Sequence, residues 1–413
     1  MNNLSVYFHN RFAGILERNK DNNFIFSYRK EYLEEEKAVP VSLGIPLIEG
    51  PQSHKNVRAF FSNLLPEGAI KAAIAREKKI SVDNDFELLR AIGGECAGAV
   101  SILDGEPPLK QENGYERLSE IDLAKILDES TLRPALITKD EIRLSLAGAQ
   151  DKIPLYYKDN QFFLPKGNSA STHILKMMRP GFTGLVENEY FCMQIAKGVG
   201  LDVPEVLIKE IGTYKAFLIN RYDRFIDTDG HVKRIHQEDF CQVAGFPPEV
   251  KYENEGGPGV NTIIDMINMY CSTPVVERKK IVNWMIFNYL IGNCDAHAKN
   301  ISLLHADKIQ IAPFYDLVST LAFPELSKKL SMYIGGQKRI DFIMKRHWEK
   351  FVSDVGMKYS LLEKMMKEMM DKAEKESERI VQGAEPETGI VFEKVANIIK
   401  QQSKRLSMTF SAV

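Results

Sequence analysis

The sequence predicts an α+β chain of two lobes behind a β-rich N-terminal region, and three observations carry that reading. Short alternating runs separated by Gly, Asn and Asp fill residues 1–50 and return over 142–224, the texture of strands and turns. From Gln237 onward alternation gives way almost entirely to apolar residues at helical spacing. Within that helical stretch one polar turn stands out, Asp295-Ala296-His297-Ala298-Lys299-Asn300, and Pro313-Phe314-Tyr315-Asp316 follows it. The expected divisions are 1–105, a β-meander plus helices; 106–222, a strand-rich lobe; and 223–413, an all-helical lobe.

At 413 residues the chain can bury at least two cores. Its 44% hydrophobic and 27% charged residues are those of an ordinary soluble protein, and a net charge of -2 gives no general attraction to nucleic acid or anionic lipid. No apolar run reaches the length of a membrane span and the N-terminus is not a signal peptide, so a cytoplasmic location is expected. Cys96, Cys192, Cys241, Cys271 and Cys294 are scattered and never form C-x-x-C, which points to reduced thiols and argues against a structural zinc. Cys294, although beside Asp295, lacks the Cys–His logic of a thiol nucleophile.

In chain order, Leu4–Phe8 and Phe24–Tyr28 alternate as strands, with a turn at Asp21–Asn23. Helical texture covers Phe60–Gly68, Ala69–Lys79 and Asp85–Ile92, and the strand Val100–Leu103 follows a Gly-rich turn, Gly93–Ala99. That turn is explained by backbone permissiveness better than by phosphate binding. Gly105–Glu116 is the best linker, and Leu118–Leu127 a short helix. Ile142–Leu146 then alternates into Ala147–Lys152, followed by the strands Ile153–Tyr157 and Gln161–Leu164; the glycine turn between them could cover phosphates or simply close a hairpin. Thr172–Lys176 is a strand ending in a lysine, Val186–Gly198 a helix opened by Glu187-Asn188-Glu189, and Ala216–Asn220 an apolar strand turning polar at Arg221-Tyr222. Gln237–Ala244 reads as a short helix, Phe246–Gly259 as a loop, and Thr262–Met269, Val275–Ile291 and most of Phe342–Met408 as helices. The methionines of the Leu361–Met369 stripe are read as core, and the basic residues from Lys328 to Arg346 as a solvated face.

Asp295 and Asn300 are separated by four residues, the spacing of the D-x-x-x-x-N loop of protein kinases. Phosphoryl transfer needs a carboxylate to orient the attacking hydroxyl and accept its proton, and hard oxygen ligands for Mg2+. Asp295 is the candidate base; Asn300 and Asp316 supply an amide and a carboxylate of the right kind. A polar turn after a helix also collects Asp and Asn for reasons of turn chemistry alone. Order favours the chemistry: glycine turn at Gly148, lysine strand at Lys176, glutamate-bearing helix, the strand into Asn220, then the Asp295 loop. The expected fold is therefore bilobal and protein-kinase-like.

The same segments resemble the HipA-type serine/threonine-protein kinase toxins of bacterial type II toxin–antitoxin systems. The resemblance rests on Phe61–Gly68, Ser145–Lys152, Thr172–Lys176, Arg221–Arg224, Gln237-Glu238-Asp239, Lys251-Tyr252-Glu253, Asp295–Asn300 and Pro313–Asp316, in one order along nearly the whole chain. It implies ATP and Mg2+ as cofactors, Asp295 as catalytic base and Asn300 with Asp316 as metal ligands. It also implies a nucleotide held by Ala147, Gly148, Ala149, Gln150, Asp151, Lys152, Lys176, Asn220, Arg221, Tyr222, His297, Ala298, Lys299, Asn300, Tyr315 and Asp316. Ser145 matches a serine that the family autophosphorylates, switching the kinase off. The implied partners are a protein substrate, an aminoacyl-tRNA synthetase being the class the resemblance suggests, and a DNA-binding antitoxin through which any DNA contact would be made. Two positions depart from the familiar pattern: Ala296 replaces a glycine, which a negative φ would tolerate, and Asn220 replaces a glutamate. A small-molecule phosphotransferase and a non-catalytic co-repressor are the alternatives. The N-terminal hundred residues and Ser145 argue against the first, and the joint presence of Lys176, Asp295, Asn300 and Asp316 against the second.

Overall fold

The structure, a computed structural model, describes residues 3–52, 54–105, 114–132, 152–167, 169–177 and 181–410. The chain forms two compact units, one of residues 1–177, 209–249 and 304–307, the other of residues 178–208, 250–303 and 308–413. Ser145 and Ala147–Asp151 lie outside the described residues.

The first unit opens with an antiparallel sheet in the order β3-β2-β1-β4, built from β1 (Asn3–Phe8), β2 (Arg11–Arg18), β3 (Phe24–Tyr28) and β4 (Val100–Leu103). His9 and Asn10, both at positive φ, close the first hairpin in the mirror-image turn that suits strand twist. Helices α1 (Lys30–Leu33), α2 (His54–Ser62), α3 (Gly68–Glu77) and α4 (Asp85–Ile92) complete this part. Val6, Phe26, Phe60, Phe61, Phe86 and Ile102 are among its core. Helix α2 starts and stops earlier than the apolar pattern suggests. Its end is set by Asn63, whose side-chain amide donates to the carbonyls of Ala59 and Phe246 at 2.7 and 2.8 Å.

A second sheet runs β5-β7-β6-β8-β10-β9. Its strands are β5 (Gly114–Leu118), β6 (Lys152–Lys158), β7 (Gln161–Lys166), β8 (His173–Met177), β9 (Val206–Ile211) and β10 (Tyr214–Asn220). The end of the expected linker, Gly114–Glu116, is thus a strand paired with β7. Leu123 and Leu127 of α5 (Glu120–Leu132) pack on Leu155, Leu175 and Leu218. A hairpin of β11 (Arg224–Ile226) and β12 (Val232–Arg234) leads to β13 (His236–Asp239) and α7 (Phe240–Ala244). The segment read as one helix from Gln237 is therefore strand first. Asp239 starts the helix with a reciprocal cap: its carboxylate accepts the Gln242 N–H and the Gln242 side chain accepts the Asp239 N–H, both at 2.9 Å.

The second unit is mostly helical: α6 (Leu185–Val199), α8 (Val260–Tyr270), α9 (Pro274–Ile291), α10 (Lys345–Val355), α11 (Tyr359–Gln382) and α12 (Pro386–Phe410). The C-terminal half of α9 is buried on all sides, which is why its sequence is apolar without a polar face. Phe191 of α6 stacks on Phe392 of α12 at 4.5 Å, and Gln402 of α12 donates to the Tyr289 carbonyl of α9. Leu362, Met365, Met366 and Met369 are core residues of α11, while Leu361 is exposed. Strands β14 (Ser302–His305) and β15 (Ile309–Ile311) follow the polar turn, and a hairpin of β16 (Lys329–Ile334) and β17 (Gln337–Arg339) also occurs in this region. That hairpin turns on Gly335 and Gly336, both at positive φ, inside a stretch whose charge obscures the alternation. No helix among the described residues is long and apolar enough to cross a membrane.

Candidate active site

The polar turn is positioned from α9. Gly292 ends that helix in the left-handed conformation at φ 69°, and its N–H returns to the carbonyls of Asn288 and Tyr289. A side chain there would also collide with Leu321. Asn293 fixes the next step: its amide donates to Asn288 Oδ1 at 2.7 Å while its own Oδ1 accepts the Asp295 N–H at 3.0 Å. Thr320 holds Cys294 by accepting its N–H and donating to the Gly292 carbonyl. The Asn300 amide donates back to the Asp295 carbonyl at 3.1 Å, which leaves the Asn300 Oδ1 as the acceptor end of that side chain. Tyr315 bridges the turn to its sequel, its hydroxyl reaching the Lys299 carbonyl and Ser302 Oγ, each at 2.8 Å. Asp295, His297, Lys299, Asn300, Tyr315 and Asp316 thus belong to one hydrogen-bonded and electrostatically coupled set within the second unit. Ala296 keeps a negative φ, so the missing glycine costs nothing. Asp316 has φ 59°, a strained value that an aspartate tolerates better than most residues and that concentrates at working sites.

Asp295 keeps an exposed surface, but desolvation by the protein around its carboxyl raises it above the ordinary value, and the like charge of Asp316 pushes in the same direction. Lys251 opposes the rise, as do hydrogen bonds from Ser331 and Tyr252; the Ser331 hydroxyl stands 3.2 Å from Asp295 Oδ1. Tyr252 also packs edge-on against His297 at 5.4 Å. Sequence reading placed Lys251-Tyr252-Glu253 in a motif without a role and passed over Ser331, which nothing local distinguishes. The Cys294 thiol is buried and pushed up to about 11, in keeping with an inert thiol; all five cysteines are free and buried.

The other expected nucleotide residues lie in the first unit. Lys152 on β6 pairs directly with Lys176 on β8, and Lys176 pairs with Phe217 on β10. Directly opposed residues share a sheet face, so two lysines stand side by side there. Lys176 is 4% exposed, not a solvated strand-end lysine, and its ammonium lies 5.6 Å from the Phe217 ring centroid. Asn220 is exposed at the end of β10. Arg221 is otherwise engaged: its guanidinium binds Glu95, Asp223, Ser171 and the Cys96 carbonyl, and its N–H donates to the Thr172 carbonyl. Its side chain is structural, and the Tyr222 hydroxyl donates to Gln237.

The profile of the HipA-like C-terminal domain matches residues 144–377, more than half of the chain, and that of the HipA N-terminal domain matches residues 4–103. The chain belongs to the HipA family of serine/threonine-protein kinase toxins. Among its relatives, the serine/threonine-protein kinase toxin HipA of Shewanella oneidensis is 31% identical over 351 residues, covering 82% of this chain and 80% of that one. Y4mE of Sinorhizobium fredii is 37% identical over 386 residues, covering 92% of each. A solved complex of the Shewanella oneidensis MR-1 HipA with HipB and operator DNA superposes with a TM-score of 0.85 at 28% identity, covering 98% of this chain and 97% of that one. The HipA-type kinase fold accounts for why a β-rich N-terminal part and a mostly helical unit occur in one chain.

Proposed function

We propose that this chain transfers phosphate from ATP, with Mg2+, to a serine or threonine of a protein, as the toxin partnered by a DNA-binding antitoxin. The observation that carries the reading is the Asp295 carboxylate: open to solvent on the turn after α9, held by Ser331 and Tyr252, and raised above its ordinary value. Asp295 would orient the acceptor hydroxyl and take its proton. The donors fit a magnesium ion, since two mutually repelling carboxylates and an amide whose nitrogen is tied to the backbone present only hard oxygens. Asn300 and Asp316 would hold the ion, which when bound offsets phosphate charge. Lys152 and Lys176 would balance the phosphates, with the loop Ala147–Asp151 covering them. Asn220, Tyr222, His297, Ala298, Lys299 and Tyr315 would line the nucleoside; Arg221 would support that segment from behind. The division into 1–105, 106–222 and 223–413 is the functional partition we favour.

Incubating the protein with labelled ATP and cell lysate, then identifying phosphorylated proteins by mass spectrometry, tests the reading. The expected outcome is one dominant serine- or threonine-modified protein, an aminoacyl-tRNA synthetase being the substrate class the family suggests. Transfer only to small molecules, or equal labelling by Asp295→Asn, would overturn it. Autophosphorylation at Ser145 is the proposed off-switch: a phosphate adds about -1.5 to -2 charge beside a loop meant for ATP phosphates. Phosphate on Ser145 with undiminished ATP binding would refute the switch.

A further inference from the structure

Outside the residues read as nucleotide- or metal-binding, the first unit contains a trio of ligand-type side chains, two of them buried and the third, His305, partly so. His236 and Glu238 alternate on β13 and so project to the same face, and His305 ends β14. Glu238 is fully buried and His236 is 1% exposed. Glu238 Oε1 lies 3.1 Å from His305 Nε2 and 3.9 Å from His236 Nε2, and the two rings meet edge-on at 4.8 Å. The Leu43 N–H donates to both Glu238 oxygens, at 3.0 and 3.3 Å, fixing the carboxylate. The Nδ1 side of His236 faces main chain at Ala99, and Phe8 and Phe60 close over the ring.

A histidine–glutamate ion pair would explain Glu238 and His305 but not His236. Both Nε2 atoms are buried without a hydrogen bond of good geometry, though the Val41 main chain also lies against His236, and both lie within 4 Å of one carboxylate oxygen. Two imidazoles and a carboxylate are the donor set of a zinc-type site with an open fourth position. The separations of 3.1 and 3.9 Å bracket the edge of about 3.3 Å expected for a tetrahedron with bonds of about 2.0–2.1 Å. The Leu43 N–H supplies the outer contact that orients the carboxylate.

We propose that His236, Glu238 and His305 bind one divalent first-row transition metal, zinc foremost, and that the ion staples β13 and the end of β14. The segment around Leu43 is drawn in through Glu238. The cysteine pattern spoke against structural zinc, but this set uses no cysteine. The inference stands apart from the kinase reading, since none of the three residues serves phosphoryl transfer.

The test uses the full chain, stripped with chelator and titrated with Co2+. One equivalent should bind with visible d–d absorption, and Zn2+ should displace it. His305→Gln should weaken Co2+ binding by more than the about 10- to 100-fold of a second-shell change. His231→Ala, which removes the exposed Asp227, Asp229 and His231 cluster, and Asp316→Asn should both retain the signal. Absence of Co2+ uptake by the wild type, or uptake unchanged in His305→Gln, would overturn the proposal. Should His305→Gln not fold, zinc-edge X-ray absorption on the wild-type protein decides instead. Scattering from two imidazoles supports the site, and a shell without imidazole refutes it.

Discussion

Each unit holds a cluster of charge, buried in the first and partly open to solvent in the second, and the two are treated in opposite ways. In the first unit, the carboxylates of Glu95 and Asp223 meet the guanidinium groups of Arg221, Arg224 and Arg234. Burial alone would raise both carboxyls, but the arginines outweigh it and hold them below the usual range. In the second unit, Asp295 and Asp316 are like charges, and the desolvation of the Asp295 carboxyl is opposed by Lys251 and two hydroxyls without being outweighed. Its carboxyl rises instead. Dense pairing makes a scaffold, because each carboxylate there already has guanidinium partners. Partial compensation leaves a charge that a metal or a substrate proton can still complete.

The comparison predicts its own largest failure. Glu95→Ala leaves three arginines facing a single remaining carboxylate, which should cost about 3–5 kcal/mol, the scale of an uncompensated buried charge. Denaturant melts would register it as a lower midpoint or as insoluble protein. A midpoint within about 1 kcal/mol of wild type would mean that the cluster is solvated and not a scaffold.

Asp295→Asn should behave in the reverse manner. Removing the base should lower turnover by about 10²–10⁴-fold. A carboxylate whose folded pKa is raised above its unfolded value loses the protein stability as pH climbs from the unfolded to the folded value. The amide escapes that loss, so at neutral pH the variant should melt no lower than wild type, with only a small gain because the exposed carboxylate is screened by solvent. A variant both inactive and less stable would remove the argument that Asp295 is strained for function.

Asp316→Asn should relieve the repulsion on Asp295 and weaken metal-dependent nucleotide binding. Titrating ATP at limiting and at saturating Mg2+ separates the two, with the loss expected at limiting Mg2+. Equal affinity at both would contradict a metal role.

What was legible in the sequence follows the same divide. Local pattern carried the helices and most strands: Asp85–Ile92 and Val100–Leu103 match to the residue, since apolar period and caps are local. The helix boundary at Asp239 was misplaced because the cap depends on a reciprocal contact with Gln242, which looks like helix from the sequence. Asp295 and Asn300 could be singled out because the D-x-x-x-x-N spacing is a local pattern, and the structure joins them through the Asn300 amide and the Asp295 carbonyl. The work of Arg221 was not, since it depends on Glu95, 126 positions away. Ser331 and His305 were likewise found only when folding brought them to Asp295 and Glu238.

The smallest effect is the sharpest probe of partial compensation. Lys251 is the leading charge that lowers the Asp295 carboxyl, and it is half-buried, its ammonium 5.1 Å from the Tyr252 ring centroid. Lys251→Met removes that charge while keeping much of the side-chain bulk. Asp295 must then rise further, because desolvation and Asp316 go unopposed except by hydroxyls. The base works only when deprotonated, so activity falls as pH drops through its pKa, and the acid limb of the rate profile should move to higher pH. At pH well above the limb the variant should turn over nearly as fast as wild type. On the limb it should be slower by about fivefold or less, since a partly exposed lysine is screened. Measuring kcat/KM from acid to alkaline pH for both proteins decides it. A limb that stays put with a uniformly lower rate would assign Lys251 to substrate contact, and a limb moving to lower pH would contradict the electrostatic account of Asp295.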